Sequence, residues 1–240
     1  MRVCILSNSH AASLKAGWDS IKDVHPDYQI TFFAVPNRGM LKVCPVKNED
    51  RFISTDSSIR EMLSYTSGGA ESIEVNNFDA FLVHGMFLIL PRLDRRLSGA
   101  FKAASIRDAA LLSMNYRFVK DLCSMAKGKV FYSANPLLAD EHDKVGTPRR
   151  YRYHTFEEIS DWVDAHYSSL TAIKITQPAE TIGDWMTSKR NFSVGSVRLK
   201  LHNDKDCHNE ADIRHMNAKF GARFLKKSFI PELNKHKKHS

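Results

Sequence analysis

Two short stretches near opposite ends of a 240-residue sequence hold residue types that together could perform nucleophilic chemistry. Ser7-Asn8-Ser9-His10 follows an apolar run from Val3 to Leu6, and Asp212-Ile213-Arg214-His215 precedes a helical pattern. A serine hydroxyl attacks an acyl carbon only when a base takes its proton, and an imidazole base works best when an anion fixes its tautomer. Asp212 and His215 are spaced so that the carboxylate reaches one ring nitrogen while the other points away from the helix. Each stretch also has a plainer explanation. Ser7, Asn8 and Ser9 are residue types that helix starts prefer, and Asp212 can cap a helix whose first turn His215 merely decorates.

Positioning a serine and a distant histidine together requires a sheet, and the pattern supplies one. Strands are expected at Val3–Leu6, Tyr28–Val35, Phe78–Phe87, Lys129–Ala134 and Thr171–Thr176, from apolar, β-branched and aromatic runs that stop at polar or Pro/Gly turns. Helices are expected after the first strand (Leu14, Trp18, Ile21), at Ser57–Tyr65, as one long element from Phe101 to Ala126, from Thr155 with Glu158 completing a capping box, and from Asn217 to Phe229. Asp140–Tyr153 reads as a surface loop, and Gly183–Leu201 as a partly structured excursion. The alternation predicts a doubly wound α/β domain spanning residues 1–240, with a mostly parallel five-stranded sheet flanked by helices in three layers. Ligands in such sheets bind beyond the carboxyl ends of the strands. Ser9, Gly39, His84, Gly85, Asn135 and Gln177 fall there.

Composition narrows the classes. Hydrophobic residues make up 42% of the chain, enough for a sizeable core. No apolar run is long enough to span a membrane and no signal peptide is recognisable, so a cytoplasmic location without a membrane partner is expected. Cys4, Cys44, Cys123 and Cys207 are scattered without a CxxC pair, which argues against disulfides. The net charge of +8 favours an anionic partner, with Arg149, Arg150 and Arg152 clustered beside Tyr151 and Tyr153. Nucleic acid is not the expected partner, because no RNA- or DNA-binding signature accompanies those charges. His202, Cys207, His208, Asp212 and His215 lie close in sequence but lack the tight ligand pairs of zinc sites, so no metal or other cofactor is expected, and His208 is assigned to the pocket mouth.

Together, Ser7-Asn8-Ser9 after the first strand and Asp212-Ile213-Arg214-His215 before the last helix resemble the first and last blocks of the SGNH (GDSL-like) hydrolases. Met216-Asn217-Ala218-Lys219-Phe220-Gly221 is similar to the stretch after that histidine in many members. The resemblance implies an SGNH/flavodoxin-like sandwich with Ser9 as nucleophile, His215 as general base and acid, and Asp212 as its orienter. Gly39 is similar to the second-block glycine that lends an oxyanion-hole amide. The chain departs from the pattern at Ser7-Asn8-Ser9, where the family has Gly-Asp-Ser, and at Gly85-Met86-Phe87-Leu88, where the third-block asparagine is missing. Either Asn135, Gln177 or His84 replaces that donor, or the enzyme is specialised or weak. The expected activity is that of a serine esterase on an O-acylated small molecule or glycan, with an O-acyltransferase of surface-polysaccharide biosynthesis and a non-catalytic carbohydrate- or polyanion-binding module as alternatives.

Overall fold

The structure is a computed structural model that describes residues 1–140, 153–183, 186–201 and 206–237. The Asp140–Tyr153 loop with its arginine cluster, Trp185 and His202 fall wholly or largely outside those residues.

In chain order the elements are β1 (Arg2–Ser7), α1 (Ala11–Asp19), β2 (Gln29–Ala34), β3 (Cys44–Val46), β4 (Arg51–Ile53), α2 (Ser57–Ser67), β5 (Ile73–Glu74), β6 (Ala80–His84), α3 (Gly99–Leu111), α4 (Met114–Met125), β7 (Lys129–Ser133), α5 (Phe156–Asp164), β8 (Ala172–Lys174), α6 (Ala218–Phe224) and α7 (Ile230–Lys237). β2, β1, β6, β7 and β8 form a five-stranded sheet in that order, with every neighbouring pair parallel. Both faces are covered, as a parallel sheet requires. Cys4 and Leu6 of β1 pack under α2, α3, α4 and α5 with Ile59, Ile106, Phe118 and Ile159. The alternate residues Val3 and Ile5 face α1, α6 and α7 with Leu14, Phe220 and Leu233. Fully burying each such aromatic or aliphatic side chain contributes about 1.5–3 kcal/mol.

The register aligns the carboxyl ends. Ser7 sits opposite both Ala34 and His84, and His84 opposite Ser133. The residues just beyond β1, β6 and β7 therefore leave the sheet along one edge.

Three elements differ from the sequence expectation. The long helix is two helices, because Ser113 caps the second by accepting from the Tyr116 amide; the first buries Ile106 and Ala110 while its Leu111 is exposed, and the second buries Phe118, Leu122 and Met125. A separate antiparallel sheet, β3-β4-β5, occupies the stretch before β6, and its strands of two or three residues carry no readable period. The last helix runs on past Phe229. A π-helical segment, Leu225–Phe229, precedes Pro231, and the Ile230 amide donates to the Leu225 carbonyl. This local widening accommodates a residue that lacks an N–H and would clash inside a regular helix. Among the described residues, no helix is long and apolar enough to cross a membrane.

α1 and α6 meet at glycines. A Cβ on Gly17 would lie 2.2 Å from the Ala222 nitrogen, and one on Gly221 would lie 1.9 Å from the Ser13 carbonyl oxygen. No side chain fits at either position. Gly221→Ala is therefore expected to lower the thermal unfolding midpoint by several degrees, since overpacking costs about 1–3 kcal/mol or more. Gly99→Ala, at a position with nothing within 4 Å, serves as the control that leaves the midpoint unchanged.

Candidate active site

The turn after β1 is built by its own polar side chains. The Ser7 hydroxyl donates to the His84 carbonyl of the neighbouring strand (2.9 Å), and Asn8 Oδ1 accepts from the His10 amide (3.2 Å). The carbonyls of Asn8 and Ser9 then accept from the amides of Ala11 and Ala12 as α1 begins. Ser9 is left half-buried at the sheet edge, and its amide donates to no group among the described residues.

The C-terminal stretch meets it there. Asp212 Oδ1 accepts from the amides of Arg214 (2.6 Å) and His215 (3.1 Å), which curls the chain so that the side chains of Asp212 and His215 face each other. Asp212 Oδ2 lies 2.9 Å from His215 Nδ1, and His215 Nε2 lies 3.1 Å from Ser9 Oγ. The carboxylate fixes the proton on Nδ1, so Nε2 presents its lone pair to the serine hydroxyl. Burial alone would raise the Asp212 pKa, but the hydrogen bonds from His215 and from the Arg214 and His215 amides outweigh it and hold the pKa at about 2. Asp212 is therefore an anion across the working range.

His208, expected at the pocket mouth, instead packs against this pair. Its Nδ1 also lies 2.9 Å from Asp212 Oδ2, and its ring stacks on that of His215 at 3.9 Å and 10°. Burial, with a smaller contribution from His215, lowers its pKa. His208, Asp212 and His215 bring potential ligand atoms within 4.8 Å of one another, and the hydrogen bonds to the shared carboxylate account for their approach.

The remaining expected site residues divide. Asn135, just beyond β7, lines the same cavity as Ser9 and His215. Its Nδ2 lies 3.1 Å from His10 Nε2, a contact that turns the amide group toward the cavity side of His10. Gly85 acts through space rather than through its amide, which donates to the Ser133 carbonyl. A Cβ there would come within 3.0 Å of Asn135 Oδ1 and 3.2 Å of His10 Cδ2, and the backbone φ is +71°. Gly39 is not brought to the cavity: its amide donates to Pro36, a Cβ would strike Val35 at 2.2 Å, and Asn37 is the residue of that turn that lines the cavity. His84 is buried, with Nδ1 2.7 Å from Ser133 Oγ and its ring against Phe224. Gln177 is engaged by the Leu137 amide and by the hydroxyls of Thr181 and Ser188.

Two residues that sequence reasoning passed over hold this edge together. His10 orients Asn135 through the contact just given. Asn115, in the first turn of α4 and fully buried, sets Nδ2 3.1 Å from each of the carbonyls of Val83, Gly85 and Ser133, while its Oδ1 accepts from the Tyr167 hydroxyl. It braces a turn in which Gly85, Met86 and Phe87 are all left-handed, with φ of +71°, +52° and +63°. For the two non-glycine residues that conformation costs about 1–2 kcal/mol each. An isolated asparagine in a helix carries no sequence signal for such a role. Around Ser9 lies a cavity of about 680 Å³, walled by Phe87, Ile89, Leu138 and Met186 and edged by Arg92 and Arg214.

These buried partners have measurable consequences. Asn115→Ala removes a donor shared by three buried carbonyls and the acceptor of the buried Tyr167 hydroxyl, and is expected to cost about 2–3 kcal/mol in urea unfolding. A second consequence concerns pH. Burial holds both His10 and His84 down to about 3, aided at His10 by the neighbouring imidazoles of His84 and His215. Between their ordinary pKa of 6.5 and 3, the unfolded chain binds protons that the folded chain refuses. Stability therefore falls as pH drops through that window, by up to about 1.4 kcal/mol per pH unit for each histidine. Calorimetric melts from pH 7.5 to 5 should show a falling midpoint, with a shallower slope in His84→Gln.

No family model matches the sequence, and no curated protein sequence does. Among solved structures, the periplasmic domain of a lipopolysaccharide acetyltransferase from Salmonella ser. Paratyphi A is similar over 97% of this chain and 83% of its own, at 13% identity and a TM-score of 0.51. A GDSL-like lipase from Bacteroides thetaiotaomicron aligns over 98% and 88% at 12% identity and a TM-score of 0.42. With its parallel sheet ordered β2-β1-β6-β7-β8 between two helical layers, the chain shares the fold of the acetyltransferase's periplasmic domain, an α/β sandwich of the kind that the SGNH (GDSL-like) resemblance implied.

Proposed function

We propose that this protein is a serine-dependent acyl hydrolase or acyltransferase that forms an acyl-enzyme on Ser9. The observation that carries this reading is the continuous relay from Ser9 Oγ through both nitrogens of His215 to Asp212. In the first step Ser9 Oγ attacks the carbonyl carbon of an ester while its proton passes to His215 Nε2. The charge that develops on His215 is balanced by Asp212, already ionised. The oxyanion is held by the Ser9 amide and by the second N–H of the Asn135 amide, the first being used on His10. Collapse expels the alcohol, which takes the proton from His215 Nε2. The oxygen of a water or an acceptor hydroxyl then bonds to the acyl carbon while its proton passes to the same nitrogen, and the bond from that carbon to Ser9 Oγ breaks as Ser9 takes the proton back.

The Salmonella protein with a similar fold is an acetyltransferase of lipopolysaccharide, which supports a sugar hydroxyl as acceptor and an O-acyl carbohydrate as product or substrate. Hydrolysis of the same ester uses the same groups, with water in place of the sugar.

Ser9→Ala should abolish turnover of short-chain aryl esters and acetylated sugars and prevent labelling by a fluorophosphonate; full activity in that variant would refute the assignment. Asn135→Ala should lower kcat about a hundredfold with a small change in KM, because its donor acts on charge present mainly in the transition state.

A further inference from the structure

Resting on the reading of Ser9 as the acylated residue, we infer that the substrate is an amphiphilic ester whose apolar part lies along Phe87, Ile89 and Leu138 and whose anionic group, phosphate or carboxylate, is bound by Arg92 and Arg214. Two independent features of the cavity lead there. The first is charge: the lining contains two arginines and no aspartate or glutamate, and neither arginine forms an ion pair with a carboxylate among the described residues. Asp212, the nearest carboxylate in sequence to Arg214, has its oxygens engaged by two imidazoles and two amides. Arg92 spends one N–H on the Met186 carbonyl at 3.3 Å, which anchors the guanidinium at the rim and leaves its remaining donors for a ligand. Arginines in this state present forked donors that suit a carboxylate or phosphate.

The second feature is apolar exposure. Phe87, Ile89 and Leu138 are 36%, 57% and 44% exposed, and all three stand on the walls of the one cavity that contains Ser9. The left-handed turn at Gly85, Met86 and Phe87 is what turns Phe87 outward while Met86 beside it is fully buried. A substrate with only a small polar body would leave these side chains in water. One with a hydrocarbon segment covers them, at roughly 25 cal/mol for each Å² removed from solvent. The combination of a rim without a paired carboxylate among the described residues and an apolar wall distinguishes an anionic amphiphile from a neutral acylated sugar.

The test compares hexanoyl esters of 4-hydroxybenzamide, 4-hydroxybenzoate and 4-hydroxyphenyl phosphate at low ionic strength, in wild type and in the Arg92→Gln/Arg214→Gln double variant. The expected result is a higher kcat/KM for at least one anionic ester than for the neutral one, with that ratio falling about tenfold or more in the double variant. The ester that loses more identifies phosphate or carboxylate as the bound group. A ratio near one in wild type, or one that the double variant leaves unchanged, overturns the inference. Calorimetric binding of hexyl phosphate and hexanoate to Ser9→Ala, with and without the two arginines, gives the same answer without turnover. If none of the esters is cleaved, the Ser9 reading fails, while arginine-dependent binding still upholds this one and its absence still overturns it.

Discussion

The contact on which the site depends is the one between two helices that approach until backbone touches backbone. Gly17 on α1 and Gly221 on α6 each lie where a single methyl group would collide with the other helix. Ser9 stands just before α1 and His215 just before α6, so the distance between those helices sets the distance between the Ser9 hydroxyl and the His215 ring. Asn217 reinforces the arrangement: its Oδ1 caps α6 through the Phe220 amide, and its Nδ2 donates to the carbonyls of Asn191 and Val194. A hydrogen bond of 3.1 Å across a sequence separation of 206 residues is thus set by packing, with the sheet beneath as the common base.

A second constraint acts along the carboxyl ends of the central strands. Ser7, His84, Ser133 and Asn115 form a buried polar row in which most donors and acceptors find one another. Polar groups so placed are costly if left unpaired, so each one narrows the positions open to its neighbours. The row holds Gly85 in a left-handed conformation and leaves room for Asn135 to lie against His10. Asn135, the donor invoked in the proposed mechanism, thus enters the cavity from the end of the neighbouring strand.

The five parallel strands were legible in the sequence because each is a compact apolar run ended by a turn. The pairing of Ser9 with Asp212 and His215 was equally readable from the two end blocks. Other features were hidden for physical reasons. Ser113 splits a helix through one side-chain hydrogen bond, and a serine within an apolar helical pattern does not announce that role. Gly39 looked like a donor because turn glycines share one appearance, whereas its role here is close packing against Val35 and Ile59. His10 and Asn115 act through partners far away or on another element, and no local spacing encodes such contacts. Among the cavity walls, Phe87 belongs to the left-handed turn after β6, a backbone conformation that its residue type does not announce.

The order of synthesis gives the glycine contact one more meaning. As the chain leaves the ribosome, Ser9 emerges well before its partners, and α1 forms without the helix that will press on it. His215 arrives 206 residues later, and α6 must be out before Gly221 can meet Ser13. Until then the Ser9 hydroxyl has no contact with that imidazole. The long loop closure that slows folding thus also sets when the Ser9–His215 contact can form, and a translation product interrupted before that histidine lacks it.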